Sequence, residues 1–317
     1  MTQIRSLRVA TIQPGVLGIH SLDRFALSVP DLSEAKDFYD AFGLDVRVEG
    51  ESLHLYTQGH RHCWGSVREG ASKKVEHLSF GAFEEDFARF AGRLEELGVR
   101  RLDPPPGFES NGLWFHDHEG RLVEIRVAEK SSPDEKIPPQ MPSAPDGARN
   151  APLRSQVAPT KPRRLAHILL FTSDVEKAIA FYSRVLGLRL SDRAGSDIAF
   201  MHGVHGSDHH MVAFARSDRP GLHHTSWDVG SVQEIGAGAM QMADKGFAEG
   251  WGLGRHVLGS NYFHYIRDPW GSYSEYSCDM DYIPAGIEWE ADDHKAEDAF
   301  YVWGPNPPAD FAINKET

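Results

Sequence analysis

Two histidines and a glutamate, far apart in the chain, occupy settings that suit a metal ion. His167 follows Arg-Leu-Ala at the start of one strand-like run, and His224 opens His224-Thr-Ser-Trp227 on another. Glu275 closes Gly254-Arg-His256-(x8)-Tyr265-Ile-Arg-Asp268-Pro-Trp-Gly271-Ser-Tyr-Ser-Glu275. Two neutral imidazoles and one carboxylate on separate strands can fill one face of an octahedral ion and leave the opposite face open to a substrate and dioxygen. The chemistry implied is oxygen chemistry. With 17 histidines in the chain, a single one is more often a surface or hydrogen-bonded residue than a ligand. The weight rests on three candidates at matching points of a repeated module, with an Asp-Pro-x-Gly turn setting Glu275.

The repeat is visible when Val29-Pro-Asp-Leu-Ser-Glu-Ala-Lys-Asp-Phe-Tyr-Asp-Ala-Phe-Gly-Leu44 is laid beside Ser173-Asp-Val-Glu-Lys-Ala-Ile-Ala-Phe-Tyr-Ser-Arg-Val-Leu-Gly-Leu188. Such self-similarity points to a duplicated domain. Each stretch opens on an acidic or hydroxyl cap and carries apolar residues at helical spacing (Ala35, Phe38, Phe42; Ala178, Phe181, Tyr182, Val185). Each ends at a glycine, Gly43 or Gly187, where a helix C-terminus favours one. A second helix is expected in each half, from Phe83 to Leu97 before Gly98 and from Val232 to Lys245 before Gly246. The strands around them alternate. In His224-Thr-Ser-Trp-Asp-Val229, the residues Thr225, Trp227 and Val229 face a helix while His224, Ser226 and Asp228 line a cavity.

Between the halves, residues 128–164 gather eight prolines with Ser, Lys and Gly and few large apolar side chains, the composition of a semi-rigid exposed linker. The expected organisation is an N-terminal domain over 1–127, the linker over 128–164, a C-terminal domain over 165–282 and an extension over 283–317. The chain of 317 residues is long enough for two cores. Its 33 basic and 46 acidic residues leave a net charge of −13, which repels nucleic-acid phosphates and acidic membrane surfaces. The start, Met1-Thr-Gln-Ile-Arg-Ser, has no apolar secretion core, and no window offers the roughly 20 apolar residues of a membrane span. A cytoplasmic protein is expected. Cys63 and Cys278, one in each half, read as two unpaired thiols.

At this point the chain resembles a two-domain extradiol ring-cleaving dioxygenase, of the catechol 2,3-dioxygenase kind, in the vicinal oxygen chelate superfamily. The resemblance covers about residues 18–282. Its specific part is a small residue two before a histidine, a Tyr, Asp-Pro-x-Gly and a Glu, matched here by Gly254, His256, Tyr265, Asp268-Pro-Trp-Gly271 and Glu275. His264 departs from the family's usual apolar residue but should face away from Tyr265. The resemblance implies an α+β fold of two tandem domains, each an open barrel of paired βαβββ modules. It implies that His167, His224 and Glu275 hold Fe(II), with Mn(II) suiting the same ligands. In each His-His pair one member is chosen: His224 rather than His223 as a ligand, and His210 rather than His209 in the pocket. His210, His256 and Tyr265 then take catalytic roles. His210 would hold reduced oxygen and move its proton, and the other two would bond the substrate oxygens and help deprotonate the diol. Partners implied are a catechol-like substrate and O2, with a homo-oligomer as the usual assembly.

In the first copy Arg24 falls where His167 falls, His77 matches His224, and Glu124 matches Glu275. A guanidinium repels a dication and could pair with Glu124 instead, so this half is expected to be metal-free. Two other functions fit the fold: a glyoxalase-like isomerase or hydrolase using zinc or nickel, and a metal-free binding protein of the bleomycin-resistance type. The first generally adds a further carboxylate and gives the His256–Tyr265 pair no purpose; the second should lack the histidines. The substrate ring stays open among substituted catechols, bicyclic diols and trihydroxylated rings such as trihydroxytoluene. Phe200, Trp251, Leu253, Val257, Tyr262 and Trp270 are unranked candidates for the pocket wall. The extension after Tyr282 is read as covering the pocket mouth or a subunit contact, or as a peripheral tail.

Overall fold

In a computed structural model, residues 11–108, 110–141 and 143–316 are described. The start of the chain read above for a secretion core lies outside them, as does Pro142 of the linker. The N-terminal half runs β1 (Ser21–Val29), α1 (Leu32–Ala41), β2 (Asp45–Glu49), β3 (Ser52–Tyr56), β4 (Cys63–Glu69), β5 (Lys74–Ala82), α2 (Glu84–Glu96), β6 (Arg101–Leu102), β7 (Leu113–His116) and β8 (Leu122–Val127). The second half repeats the order as β9 (Arg164–Thr172), α3 (Val175–Leu186), β10 (Arg189–Ala194), β11 (Ile198–His202), β12 (Ser207–Asp208), β13 (Val212–Arg216), β14 (Gly221–Asp228), α4 (Val232–Asp244), β15 (Gly250–His256), β16 (Tyr262–Arg267) and β17 (Tyr273–Cys278). It continues through β18 (Tyr282–Ile283), β19 (Asp292–Asp293), α5 (Ala296–Ala299) and β20 (Tyr301–Trp303).

Of the helices, α1, α3 and α4 begin where short polar side chains can accept the free backbone N–H groups of the first turn. Asp31 caps α1, Asp174 caps α3 and Ser231 caps α4. Helices α1 to α4 stop at Gly43, Gly98, Gly187 and Gly246, all left-handed, a backbone state that glycine adopts without a side-chain clash.

The strand order of the first sheet is β2-β3-β4-β1-β5-β8-β7-β6, and the second repeats it as β10-β11-β13-β9-β14-β17-β16-β15. Registers coincide as well. Arg24 pairs Ser79 as His167 pairs Ser226, and Ser79 pairs Glu124 as Ser226 pairs Glu275. The second sheet is longer at both edges because the extension contributes β19 beside β10 and β20 beside β15.

One buried apolar core joins the halves. Phe42 stacks on Tyr276 with centroids 3.9 Å apart, and the Tyr276 hydroxyl donates to the Phe42 carbonyl at 2.8 Å. Lys73 reaches Asp268 at 2.7 Å with both groups buried. That contact anchors the turn before Glu275 to the first half. Burying an ion pair is costly unless the partners are closely matched, and Asp268 also accepts from the backbone N–H groups of Trp270 and Ser272.

Candidate active site

His167, His224 and Glu275 come from the adjacent strands β9, β14 and β17, and their side chains meet. Nε2 of His167 lies 3.1 Å from Nε2 of His224, and Oε2 of Glu275 lies 3.3 Å and 3.5 Å from them. Ligand atoms about 2.1 Å from an ion and at right angles to each other stand roughly 3 Å apart, so the triangle has the size of a shared coordination face. Glu275 is fully buried, yet its Oε2 has no hydrogen-bond partner. A buried carboxylate oxygen is costly to leave unpaired, and a cation in the triangle would satisfy it. Among the described residues this is the group of three His, Cys, Asp or Glu placed to hold a metal.

Bulges aim these side chains. Ala166 is skipped in the β9–β14 register beside His167, and His223 is skipped beside His224. An extra residue breaks the strict alternation of a strand and re-aims its neighbours. His223 and His224 therefore meet, Nδ1 to Nδ1, at 2.7 Å.

His210 is buried with its ring centroid 4.2 Å from that of His167 and 4.8 Å from that of Phe200. Its Nδ1 lies 3.1 Å from Nδ1 of His209, whose Nε2 meets Asp192 at 2.8 Å. Nε2 of His256 lies 2.9 Å from the Tyr265 hydroxyl, and its Nδ1 lies 2.9 Å from the Phe300 carbonyl. Trp251 stacks behind Tyr265, at 5.6 Å and 10°.

Burial lowers the proton affinity of His224, His210 and His256, and neighbouring imidazoles add to the effect for the first two. Burial thus favours the neutral ring, the form in which His224 could bind a metal. Burial holds the Tyr265 phenol in its neutral form, with Glu275 a second cause. For His210, burial favours the unprotonated ring, whose proton affinity an anion alongside would raise.

A cavity of about 470 Å³ opens beside the triangle. His167, His210, His223, His224, His256 and Tyr265 line one part; Leu169, Ile198, Phe200, Leu258, Phe300 and Phe311 form an apolar wall. Of the aromatic and apolar candidates named from sequence, Phe200 is on this wall. Trp251 stands behind it, and Leu253, Tyr262 and Trp270 pack on the main core. Two wall residues, Phe300 and Phe311, come from the extension, so that segment covers the pocket. Asn261 was not singled out from sequence, although its Nδ2 donates to Glu275 Oε1 at 3.2 Å. Only its position between His256 and Tyr265 could have drawn notice.

The counterpart cavity in the first half is larger, about 1140 Å³, and polar. Here one expectation is corrected. Arg24 does not pair with Glu124; its Nε donates to Asp23 at 3.0 Å. Asp23 is the bulged residue of β1, which lets consecutive side chains meet where alternation would separate them. Glu124 instead accepts from Ser79 at one oxygen and Ser110 at the other. His77 lies between Phe108 and Trp114, at 4.5 Å and 4.9 Å.

The Glyoxalase/Bleomycin resistance protein/Dioxygenase superfamily model matches residues 21–125 and 164–276. The chain is 50% identical to metapyrocatechase 2 of Cupriavidus necator, over 94% of this chain and 93% of the relative. It is 22% identical to the manganese-dependent 2,3-dihydroxybiphenyl 1,2-dioxygenase of Geobacillus genomosp. 3, over 90% and 94%. The crystal structure of BphC, a halotolerant catechol dioxygenase, superposes with a TM-score of 0.75 at 19% identity, covering 95% of this chain and 99% of that one, and shares the fold.

Proposed function

The chain belongs to the Glyoxalase/Bleomycin resistance protein/Dioxygenase superfamily, and from that premise we propose how it works as an extradiol dioxygenase of aromatic-compound catabolism. It cleaves the ring of a catechol-like substrate beside the vicinal hydroxyls, and both atoms of O2 enter the product. The observation that carries the site reading is the ligand-sized triangle, with an unpaired carboxylate oxygen, at the wall of a largely apolar pocket.

In this reading His167, His224 and Glu275 hold Fe(II), an assignment that Mn(II) would satisfy with the same ligands. The bound ion would gather the two substrate oxygens and dioxygen and let electron density pass from ring to oxygen. The protein's groups do the rest. Glu275 supplies one negative charge and a catecholate monoanion would supply a second, so a divalent ion held there would be neutralised and would tolerate a dry pocket. His256, with Nε2 toward the Tyr265 hydroxyl, relays a proton away from the diol. His210 would hydrogen-bond the reduced oxygen and pass the second diol proton to it; negative charge developing there raises the basicity that burial has lowered. The first half, free of metal, supports the fold. We place the enzyme in the cytoplasm as a homo-oligomer.

The pocket narrows the substrate. Its wall is apolar, while the charged lining groups, Asp197 and Arg216, are exposed. A carboxylate on the ring would lose water without gaining a buried partner. The preferred ring therefore bears hydrogen, alkyl or aryl groups. Reconstitution with Fe(II) without air, then addition of O2 and a catechol panel, tests this. Oxygen uptake matched by yellow ring-fission product is expected, fastest with uncharged catechols. Metal uptake without oxygen consumption on any diol would favour a glyoxalase-like activity.

A further inference from the structure

The extension reaches the site through two backbone carbonyls as well as two aromatic rings. Nε2 of His223 lies 3.0 Å from the Phe311 carbonyl, and Nδ1 of His256 lies 2.9 Å from that of Phe300. A carbonyl only accepts, so each facing nitrogen carries the hydrogen, and a neutral imidazole has just one N–H. His223 is buried against the rings of Phe171, Tyr273 and Phe311, a setting that favours the neutral ring. Its Nδ1 is then bare. At 2.7 Å from that bare nitrogen, Nδ1 of His224 must be the donor. The other tautomer would set lone pair against lone pair there and point an N–H into the ligand triangle. With its hydrogen on Nδ1, His224 turns a bare Nε2 toward His167 and Glu275. By the same logic His256 keeps a bare Nε2 that accepts from the Tyr265 hydroxyl.

We propose that the extension is a tautomer lock: the Phe311 carbonyl acting through His223, and the Phe300 carbonyl acting directly, hold His224 and His256 with the hydrogen on Nδ1 and Nε2 bare toward the site. His223 is thus a positioning residue, one step behind the ligand. Groups bonded to the far nitrogen of a ligating histidine fix its tautomer and commonly change metal affinity about 10- to 100-fold. Here that group is held by a segment which also adds strands to both edges of the sheet, so seating the extension and preparing the ligand are one event. The inference rests on His224 being a ligand, as proposed above.

The test compares His223→Leu with His223→Gln. Glutamine can accept from His224 through its oxygen and donate to Phe311 through its amide; leucine can do neither. Each protein is titrated with Mn(II) alone, free ion is read by electron paramagnetic resonance, and thermal unfolding monitors folding. The expected result is a Kd weakened about 10- to 100-fold in His223→Leu and restored to within a few-fold of wild type in His223→Gln. Unchanged affinity in the folded leucine variant, or equal loss in both, would overturn the proposal. Should the leucine variant fail to fold, long-range 1H–15N spectra of the unsubstituted protein decide the matter: His224 protonated at Nδ1 is expected, and protonation at Nε2 refutes the lock. Those spectra need no metal. An unsubstituted protein that takes up no Mn(II) would overturn the ligand assignment, while the spectra still decide the tautomer.

Discussion

The two copies of the module have the same strand order and the same register at three matching positions, yet among the described residues the triangle of possible metal ligands forms in the second copy. The difference lies in what each carboxylate touches. In the second copy Ser226, paired with Glu275, donates to Ser277 at 2.9 Å and leaves Glu275 Oε2 unpartnered. In the first, Arg126 occupies the place of Ser277, and Ser79 turns to Glu124 instead. The imidazoles are changed too: Arg24 replaces His167, and Glu76, paired with Arg68, stands where His223 backs His224. By register, Cys63 replaces His210. A fold that duplicates faithfully can thus build two different pockets through a handful of side chains, because strand pairing depends on the backbone and the pocket lining does not.

The largest test of this contrast is to remove ligands from either copy. His167→Ala, His224→Ala or Glu275→Ala should abolish both metal uptake and turnover, while Glu124→Ala should leave one ion per chain and normal turnover. Metal analysis beside oxygen uptake reads both, and two tightly held ions per unsubstituted chain would break the comparison. His210→Ala should keep its ion and slow ring cleavage by about 10²- to 10⁴-fold, whereas Cys63→Ala should change neither; stopped-flow kinetics on metal-loaded protein would show it. Phe311→Ala should raise KM about tenfold, equivalent to roughly 1.4 kcal/mol of lost apolar contact, and Phe108→Ala in the other cavity should leave KM unaltered.

A further effect concerns acid. Burial, with Arg24, Arg68 and Arg126 nearby, lowers the pKa of His77 from 6.5 to about 3. Below pH 6.5 the unfolded chain takes up this proton and the folded chain does not. The stability His77 contributes is therefore complete above pH 6.5 and declines as pH falls toward 3. Denaturant titrations of His77→Gln should show a shallower decline, by roughly 1.4 kcal/mol per pH unit in that window. The smallest expected effect is none: Arg24→His alone should create no second metal site, since both Glu124 oxygens remain bonded to serines. Uptake of a second ion by that variant would mean that the guanidinium alone separates the first copy from a metal site.

Much of this architecture can be read from the chain. The paired helical stretches with terminal glycines and the Asp-Pro-x-Gly turn are local signals, and the repeat places His167, His224 and Glu275 at equivalent points, so their meeting follows from strand pairing. What could not be read depends on bulges and on distance along the chain. Alternation separates Asp23 from Arg24 and His223 from His224; a bulge brings each pair together, and no residue type announces it. Phe300 and Phe311 lie far from the motif in sequence, and nothing local to either says that it will line the pocket beside Phe200. Asn261 was passed over because an amide in a short connection is ordinary until its partner is known.

That Phe300 and Phe311 follow every proposed ligand in the chain has a consequence for biogenesis. A polypeptide is made from its N-terminus onward and its domains fold as they emerge, so His167, His224 and Glu275 can assemble before the wall beside them exists. A chain interrupted in that interval would have its ligands in place but no shelter from water and no restraint on the ring of His224. On that reading the order of synthesis would make the extension a late checkpoint, separating chains that merely fold from chains whose site is complete.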